Sequence, residues 1–131
     1  MTTILICLLL GALIPYALAF SSLPFRSKQF GSPDLNEPRA QGNQLTDAGG
    51  RVVAAQANAW EALAVFTVAN VAAFMAGVDP AGNWSIAAMV WVVGRIGHGV
   101  FYTMGNAPLR VLSFLLGVGT SIWIFVMAIT A

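Results

Sequence analysis

The sequence predicts an all-α integral membrane protein, a four-helix bundle formed by a single domain over residues 1–131. Of its residues, 58% are hydrophobic and only 8% are charged, and the mean hydropathy of +0.78 lies outside the range of soluble domains. Three runs are almost free of charge, over residues 2–20, 54–93 and 111–131. A spanning helix needs about 20 apolar residues, so the middle run, interrupted near residues 77–83, is long enough for two. The predicted helices therefore cover residues 3–20, 51–76, 84–103 and 109–130.

The positive charges all lie on one side of this topology. Three are in the connector between helices one and two, one is at the start of helix two, and two flank the connection between helices three and four. The positive-inside rule therefore places both connections in the cytoplasm, with both termini and the turn at Asp79 on the other side. These cations are Arg26, Lys28, Arg39, Arg51, Arg95 and Arg110.

The first helix, over residues 3–20, has the position and length of a secretory signal. A signal peptide begins with a basic segment, and Met1, Thr2 and Thr3 provide none. A permanent membrane anchor is therefore favoured. Pro15 lies inside this helix, which membrane helices tolerate when neighbours satisfy the freed carbonyl group.

The polar connector over residues 21–50 contains several Pro, Gly, Ser, Asn and Asp residues. It is not expected to be helical throughout, and Thr46 or Asp47 is the predicted N-cap of helix two. Two interpretations of the connector stay open. It is a solvated link, or its cations Arg26, Lys28 and Arg39 draw an anionic ligand toward the cytoplasmic mouth of the bundle.

Helix two carries four polar side chains, Arg51, Gln56, Asn58 and Glu61, in a segment predicted to cross the membrane. An ionisable group at this depth adds roughly 2.5 to 3.5 kcal/mol to the free energy of insertion even on lenient scales, so it normally faces the bundle interior, a partner or a wet cavity. At about 100° per residue, Arg51, Asn58 and Glu61 lie within roughly 80° of one another, and Gln56 points the opposite way. Glu61 is the first functional candidate. Alternatively, it pairs with an arginine to hold the helices in register.

Helices three and four add further polar candidates. Arg95, His98 and Tyr102 follow one another at spacings of three and four and share one helix face. Arg110 begins helix four, either as a functional cation or as an ordinary positive-inside anchor. Together with helix two, this set mixes cations, hydrogen-bonding groups and one carboxylate, which suits a small zwitterionic or polyanionic ligand. His98 alone cannot make a metal site and Cys7 is the only cysteine, so no metal centre is predicted.

Three other positions bear on packing. Trp84 stands where an interfacial aromatic belt is expected, and Gly117 and Gly119 allow close packing of helix four. No Gly-rich phosphate loop, HExxH pair, CxxC motif or nucleophile elbow is present. Soluble-enzyme chemistry of those types is not indicated.

Three motifs occur in order along helices two to four: R-V-x-x-A-Q-x-N-x-x-E followed by a Phe, then R-x-x-H-x-x-x-Y, then R-x-L-S-F-x-x-G. In this order and spacing they resemble the MAPEG family, the membrane-associated proteins in eicosanoid and glutathione metabolism. Each motif alone is weakly specific, and the three together are fairly specific. The matching residues are Arg51, Val52, Ala55, Gln56, Asn58, Glu61 and Phe66, then Arg95, His98 and Tyr102, then Arg110, Leu112, Ser113, Phe114 and Gly117.

The resemblance implies a left-handed four-helix bundle assembled as a homotrimer, with glutathione bound between neighbouring subunits near the cytoplasmic side. It implies that Arg110 stabilises the glutathione thiolate, since a nearby cation favours the nucleophilic anion of a thiol whose free pKa is about 8.5. An apolar co-substrate is expected to arrive laterally from lipid. The candidate glutathione-binding residues are Arg51, Gln56, Asn58, Glu61, His98 and Tyr102, of which the last two are expected on the wall of the site.

The chain also departs from the family pattern. Ala54 stands where the glutathione-using eukaryotic members commonly carry an arginine that holds a glutathione carboxylate. Ala62 replaces a residue that is often polar or aromatic, and Ala64 replaces the usual proline. These departures indicate a divergent bacterial member, expected in the bacterial inner membrane.

Two functions follow from these observations. The first is a trimeric glutathione-dependent transferase or peroxidase acting on lipophilic electrophiles, favoured by the presence of Arg110 with Glu61. The second is a non-catalytic membrane protein, an accessory subunit of a larger membrane complex or a lipid-binding scaffold, favoured by Ala54. Transport is disfavoured, because the helices show no repeat or broken pair of transporter type. The expected partners are membrane lipid, further copies of the chain and a lipophilic small molecule, and not nucleic acid.

Overall fold

In the computed structural model, which describes residues 1–131, the chain is helical apart from its turns and termini. Four segments, containing α1, α4, α5 and α6, are long and apolar enough to span a membrane, and their outward faces expose large hydrophobic side chains such as Leu9, Val68 and Leu115. The predicted all-α fold with four membrane-spanning helices is confirmed, and the chain is a multi-pass integral membrane protein. The helices are α1 (Thr2–Ser21), α2 (Leu23–Phe30), α3 (Pro38–Asn43), α4 (Asp47–Met75), α5 (Asn83–Met104) and α6 (Ala107–Ile129).

The two long middle helices form the centre of the bundle. Both α4 and α5 pack against each of the other spanning helices, whereas α1 and α6 lie on opposite sides of them. Residues 76–82 join α4 to α5 at one end. The connector over residues 22–46 and the short turn at residues 105–106 lie at the other, which we call the connector end. Gly105, at φ +76°, ends α5 in the left-handed conformation that glycine adopts readily.

The start of α4 is tied to the connector by Gln29 of α2. The Oε1 atom of Gln29 accepts hydrogen bonds from the backbone N–H of Thr46 at 3.1 Å and from its hydroxyl at 3.3 Å. Thr46 occupies the N-cap position of α4, but its side chain makes no capping hydrogen bond to the helix. With this support α4 begins at Asp47, four residues before the start predicted at residue 51.

The connector is helical only in part, and side-chain hydrogen bonds hold the residues between α2 and α3. Gln41 accepts from the backbone N–H of Asp34 and donates to the carbonyl of Ser32, both at 2.9 Å. The backbone N–H groups of Glu37, at 3.0 Å, and Asn36, at 2.8 Å, donate to the Asp34 carboxylate. These two bonds hold the pKa of Asp34 below its usual value of 3.8.

The main hydrophobic core fills the half of the bundle near residues 76–82. Trp84 lies at the end of α5 where an interfacial belt is expected, but it does not face the membrane interface, because its side chain is only 1% exposed within this core. Its indole Nε1 donates to Asn70 Oδ1 at 2.8 Å, and Asn70 Nδ2 donates to the carbonyl of Phe66 at 2.7 Å. A tryptophan whose polar N–H is satisfied inside the bundle has no need of the membrane interface.

Candidate functional site

A buried arginine joins α4 and α5 in the centre of the bundle. Arg95 is 2% exposed, and its Nη2 donates to Asn58 Oδ1 at 2.8 Å and lies 3.3 Å from His98 Nδ1. Because a guanidinium only donates, the His98 contact requires Nδ1 to be the unprotonated ring nitrogen. At 1.5 Å per residue, Arg95 lies about 14 Å along α5 from its connector end.

The charge of Arg95 is not compensated inside the chain. Both of its hydrogen-bonding partners are side chains without a negative charge, and its Nε is buried with no partner. A buried charge is normally paired with an opposite charge, and an unsatisfied buried donor is costly. The bundle thus holds a guanidinium whose charge no group of the chain compensates.

A glycine on α6 makes room for this guanidinium. A Cβ atom added to Gly117 would lie 3.1 Å from Arg95 Cδ and 3.9 Å from Arg95 Nη1. The close packing predicted for Gly117 is therefore confirmed. Gly119 is exposed and nothing in its own chain lies within 4 Å of the corresponding Cβ position, so it makes no close contact inside the bundle and its close packing stays a prediction.

Arg95 and two polar residues of α4 line one pocket, of about 240 Å³, between α4, α5 and α6. We call it the central pocket. Glu61 is exposed at its edge and makes no hydrogen bond or ion pair within the chain, so the pairing of Glu61 with an arginine of its own chain is not supported. The lining consists of the polar residues Asn58, Glu61, Arg95 and Ser121 and of Ala62, Val65, Trp91, Phe114, Gly117 and Val118.

His98, Tyr102 and Arg110 continue from Arg95 toward the connector end. The rings of His98 and Tyr102 meet edge to face with centroids 5.4 Å apart. Arg110 Cζ lies 4.6 Å from the centroid of the Tyr102 ring, within the range of a cation–π interaction. Arg110 does not line the central pocket. The predicted shared face of α5 thus carries Arg95, His98 and Tyr102 in a row, and Arg110, from the first turn of α6, lies beside the Tyr102 end of this row.

Two of the sequence-predicted site residues lie elsewhere in this chain. The Nε of Arg51 donates to the carbonyl of Thr103 at 3.2 Å, where a cation is favourable because the last carbonyl groups of a helix have no partner within it. Gln56 lines a separate pocket of about 320 Å³ with the connector cations Arg26 and Arg39, as its opposite direction on the helical wheel predicts. Neither residue lines the central pocket.

Sequence reasoning missed Trp91 as a site residue. Its ring stacks on Phe66 with centroids 3.9 Å apart and planes 7° from parallel, and it forms part of the lining of the central pocket. The spacing in the sequence already indicates this placement, since Trp91 precedes Arg95 by four residues and therefore lies on the same helix face. An aromatic side chain at that spacing is not distinguishable from an ordinary core residue without the packing.

The comparison with known families agrees with this architecture. The sequence profile of the MAPEG family matches residues 3–130, which is nearly the whole chain. No curated protein and no solved structure gives a significant match. The family match covers all four spanning helices and the polar residues of the central pocket, so the chain belongs to the MAPEG family.

Proposed function

We propose that this protein is a membrane-bound glutathione-dependent transferase or peroxidase that acts on lipophilic electrophiles. The observation that carries the proposal is the central pocket, in which a carboxylate, a carboxamide and an uncompensated guanidinium converge inside a MAPEG bundle. Glutathione is the thiol ligand of this proposal, bound as co-substrate.

The charges of the pocket suit a zwitterionic ligand. Glutathione carries one ammonium group, two carboxylates and a thiol. In our proposal Glu61 binds the ammonium group and Asn58 hydrogen-bonds the peptide, while Arg95 faces an anionic group of the ligand. The apolar side chains Val65 and Val118 line the same pocket and are exposed on the outer surface of the chain. A lipophilic electrophile therefore has a route to the sulfur directly from the membrane.

Assembly as a homotrimer completes the site in this proposal. The central pocket, at about 240 Å³, is smaller than the roughly 300 to 1,000 Å³ of most small-molecule sites. Glu61 is exposed at the middle residue of the 29-residue helix α4, and an acidic side chain facing lipid costs about 2.5 to 3.5 kcal/mol on insertion scales. A neighbouring subunit that covers Glu61 removes this cost. The pocket of Gln56, Arg26 and Arg39 is the proposed contribution of that neighbour.

The chemical step requires the thiolate. The thiol loses its proton to water, the sulfur forms a bond with the electrophilic carbon, and the bond from that carbon to the leaving group breaks, so that the leaving group departs with its electron pair. A cation beside the sulfur lowers the thiol pKa from about 8.5 and raises the fraction of thiolate. Two arginines are candidates for this role: Arg110, which the family resemblance implies, and Arg95, which lines the pocket.

The proposed location is the bacterial inner membrane with the connector end in the cytoplasm. Every Lys and Arg lies in the connector, at its junctions or on the parts of α4, α5 and α6 that lead to it, and the residue 76–82 turn has none. The positive-inside rule then leaves both termini outside. Glutathione would enter from the cytoplasm.

Calorimetric titration of glutathione into the detergent-purified protein tests the proposal. We expect binding in the micromolar to millimolar range that weakens in Glu61→Gln, because the ammonium group loses its carboxylate partner. Glu37→Gln is the matched control, since it neutralises an exposed carboxylate that does not line the central pocket. Equal weakening in both variants would point to a general effect of the lost negative charge and would count against the site.

One observation favours the alternative function. Ala54, half-buried on α4, leaves no arginine at the position that holds a glutathione carboxylate in many members of the family. If wild-type protein binds no glutathione up to several millimolar, the non-catalytic accessory subunit or scaffold becomes the better explanation. The proteins that co-purify with the chain would then identify the complex.

A further inference from the structure

A groove lies on the surface of the bundle between residues 14–21 of α1 and residues 95–104 of α5. We propose that this α1–α5 groove binds an anionic phospholipid from the leaflet at the connector end, with one acyl chain along the groove and the phosphate beside Arg51. The inference goes beyond the proposed function. It holds whether or not the protein binds glutathione, because Arg95 is the one residue that the groove shares with the central pocket.

The groove opens toward the membrane. It has a volume of about 430 Å³, and three apolar side chains along it, Ile96, Val100 and Met104, are exposed on the outer face of α5. Its walls come from α1 and α5 alone, and both helices are long and apolar enough to span a membrane. Lipid is therefore the medium that reaches the groove.

The wall of the groove suits a hydrocarbon chain. Apart from Arg95, its polar side chains are those of Ser21 and Thr103. Each of these hydroxyls donates to a carbonyl of its own helix, to that of Leu18 at 2.8 Å and to that of Gly99 at 2.9 Å. An acyl chain therefore fills the groove without burying an unpaired hydroxyl donor.

The length and position of the groove match one leaflet of a bilayer. On α5 its lining runs from Arg95 to Met104, the last residue of the helix, which is about 14 Å at 1.5 Å per residue. The hydrocarbon core of a bilayer is about 30 Å thick, so one leaflet contributes about 15 Å. A phospholipid with its acyl chain in the groove therefore has its headgroup at the connector end.

A cation lies at the headgroup end of the groove. Arg51 Nε donates to the carbonyl of Thr103 at 3.2 Å, and a Cβ atom added to Gly105 would lie 3.4 Å from Arg51 Cζ. The guanidinium thus rests against the end of α5. Its two Nη atoms make no hydrogen bond within the chain, and the side chain is partly exposed. A guanidinium with free N–H groups of this kind can bind a phosphate in bidentate geometry.

A second groove, at the opposite end of the bundle, lacks such a cation. It has a volume of about 340 Å³, lies between α5 and α6 and includes Asn83 and Ile86 from the first turn of α5. Neither its lining nor the adjoining turn over residues 76–82 contains a Lys or Arg residue. An anionic headgroup is therefore expected to favour the α1–α5 groove.

The proposed subunit contact leaves the α1–α5 groove to lipid. Each of the two pockets assigned to that contact contains residues of α4, with Asn58 and Glu61 in one and Val53 and Gln56 in the other. No residue of α4 lines the groove. Neighbouring copies that meet along α4 do not need the outer edge that α1 and α5 form.

Native mass spectrometry of the delipidated protein in detergent tests the site. Phosphatidylglycerol and phosphatidylcholine with identical acyl chains are added in turn, so that the two lipids differ in headgroup charge. For the wild type we expect phosphatidylglycerol to bind about fivefold more tightly, the effect of one cation near the membrane surface. Arg51→Lys should keep this preference. Arg51→Gln, which retains a donor for the Thr103 carbonyl but has no charge, should lose it.

Filling the groove tests the position of the acyl chain. Ala17 is exposed and lines the groove, so Ala17→Phe should lose the binding of both lipids at this site. Ile86→Phe, which adds bulk at an exposed position in the groove of the opposite end, is the matched control and should bind both lipids as the wild type does. Thermal unfolding and oligomer size are measured for every variant.

A photoreactive benzophenone side chain at Val100 identifies the occupant in vesicles that contain equal amounts of the two lipids. We expect cross-links to phospholipid, enriched in phosphatidylglycerol, and these also decide the question if Ala17→Phe does not fold. Cross-links to a second copy of the chain would overturn the inference. So would a wild type without headgroup preference, the same preference in Arg51→Gln as in the wild type, or unchanged lipid binding in a folded Ala17→Phe variant.

Discussion

Replacing Gly117 with alanine tests the packing of α6 over the buried guanidinium. The added Cβ would lie 3.1 Å from Arg95 Cδ and 3.9 Å from Trp91 Nε1, so the arginine stem or the α6 backbone must move by a few tenths of an ångström. Alanine is favoured over glycine in a helix by about 0.5 to 1 kcal/mol. Overpacking a tight contact costs about 1 to 3 kcal/mol. The steric term is therefore expected to outweigh the helix-propensity gain.

Gly119→Ala is the matched control for this change. It lies on the same helix two residues away and has nothing within 4 Å of its Cβ position, so it receives the propensity gain without the clash. We expect Gly117→Ala to be about 1 to 3 kcal/mol less stable than Gly119→Ala, measured by reversible unfolding in mixed detergent. Displacement of Arg95 should also weaken glutathione binding in Gly117→Ala alone. Equal stability and equal affinity of the two variants would refute the reasoning.

Three further predictions concern other parts of the fold. Asn70→Leu leaves the buried Trp84 N–H without its acceptor and should lower the free energy of unfolding by about 1 to 3 kcal/mol. An unchanged unfolding midpoint would show that another acceptor replaces Asn70. Arg51→Met removes the side-chain donor to the Thr103 carbonyl, so hydrogen exchange should speed up in the last turn of α5 and stay unchanged in its first turns. Because the pKa of Asp34 is lowered in the folded chain, its ionised carboxylate stabilises the folded connector fully above pH 3.8, and this stabilisation is lost as the pH falls through the lower folded pKa. Limited proteolysis by an acid-active protease should therefore cut the connector faster in that range. A cutting rate independent of pH would contradict this.

The sequence by itself determined the class of the protein and the outline of its fold. Long apolar runs and the scarcity of charge indicate four spanning helices because these are local properties of the chain. The helical wheel separates Gln56 from Asn58 and Glu61, since the direction of a side chain depends only on the helical period. The motifs of helices two to four identify the MAPEG family, which the match over residues 3–130 bears out.

Only the tertiary structure decided which of these polar residues meet. Arg51 shares a helix face with Asn58, yet it reaches Thr103, whereas Asn58 meets Arg95, a residue 37 positions away. Periodicity specifies the direction of a side chain from its own helix but not the element that packs there or how closely it approaches. For the same reason, Trp84 has its hydrogen-bonding partner inside the bundle and only one of two similar α6 glycines contacts the guanidinium. Partners, burial and available space arise from the packing of helices distant in sequence.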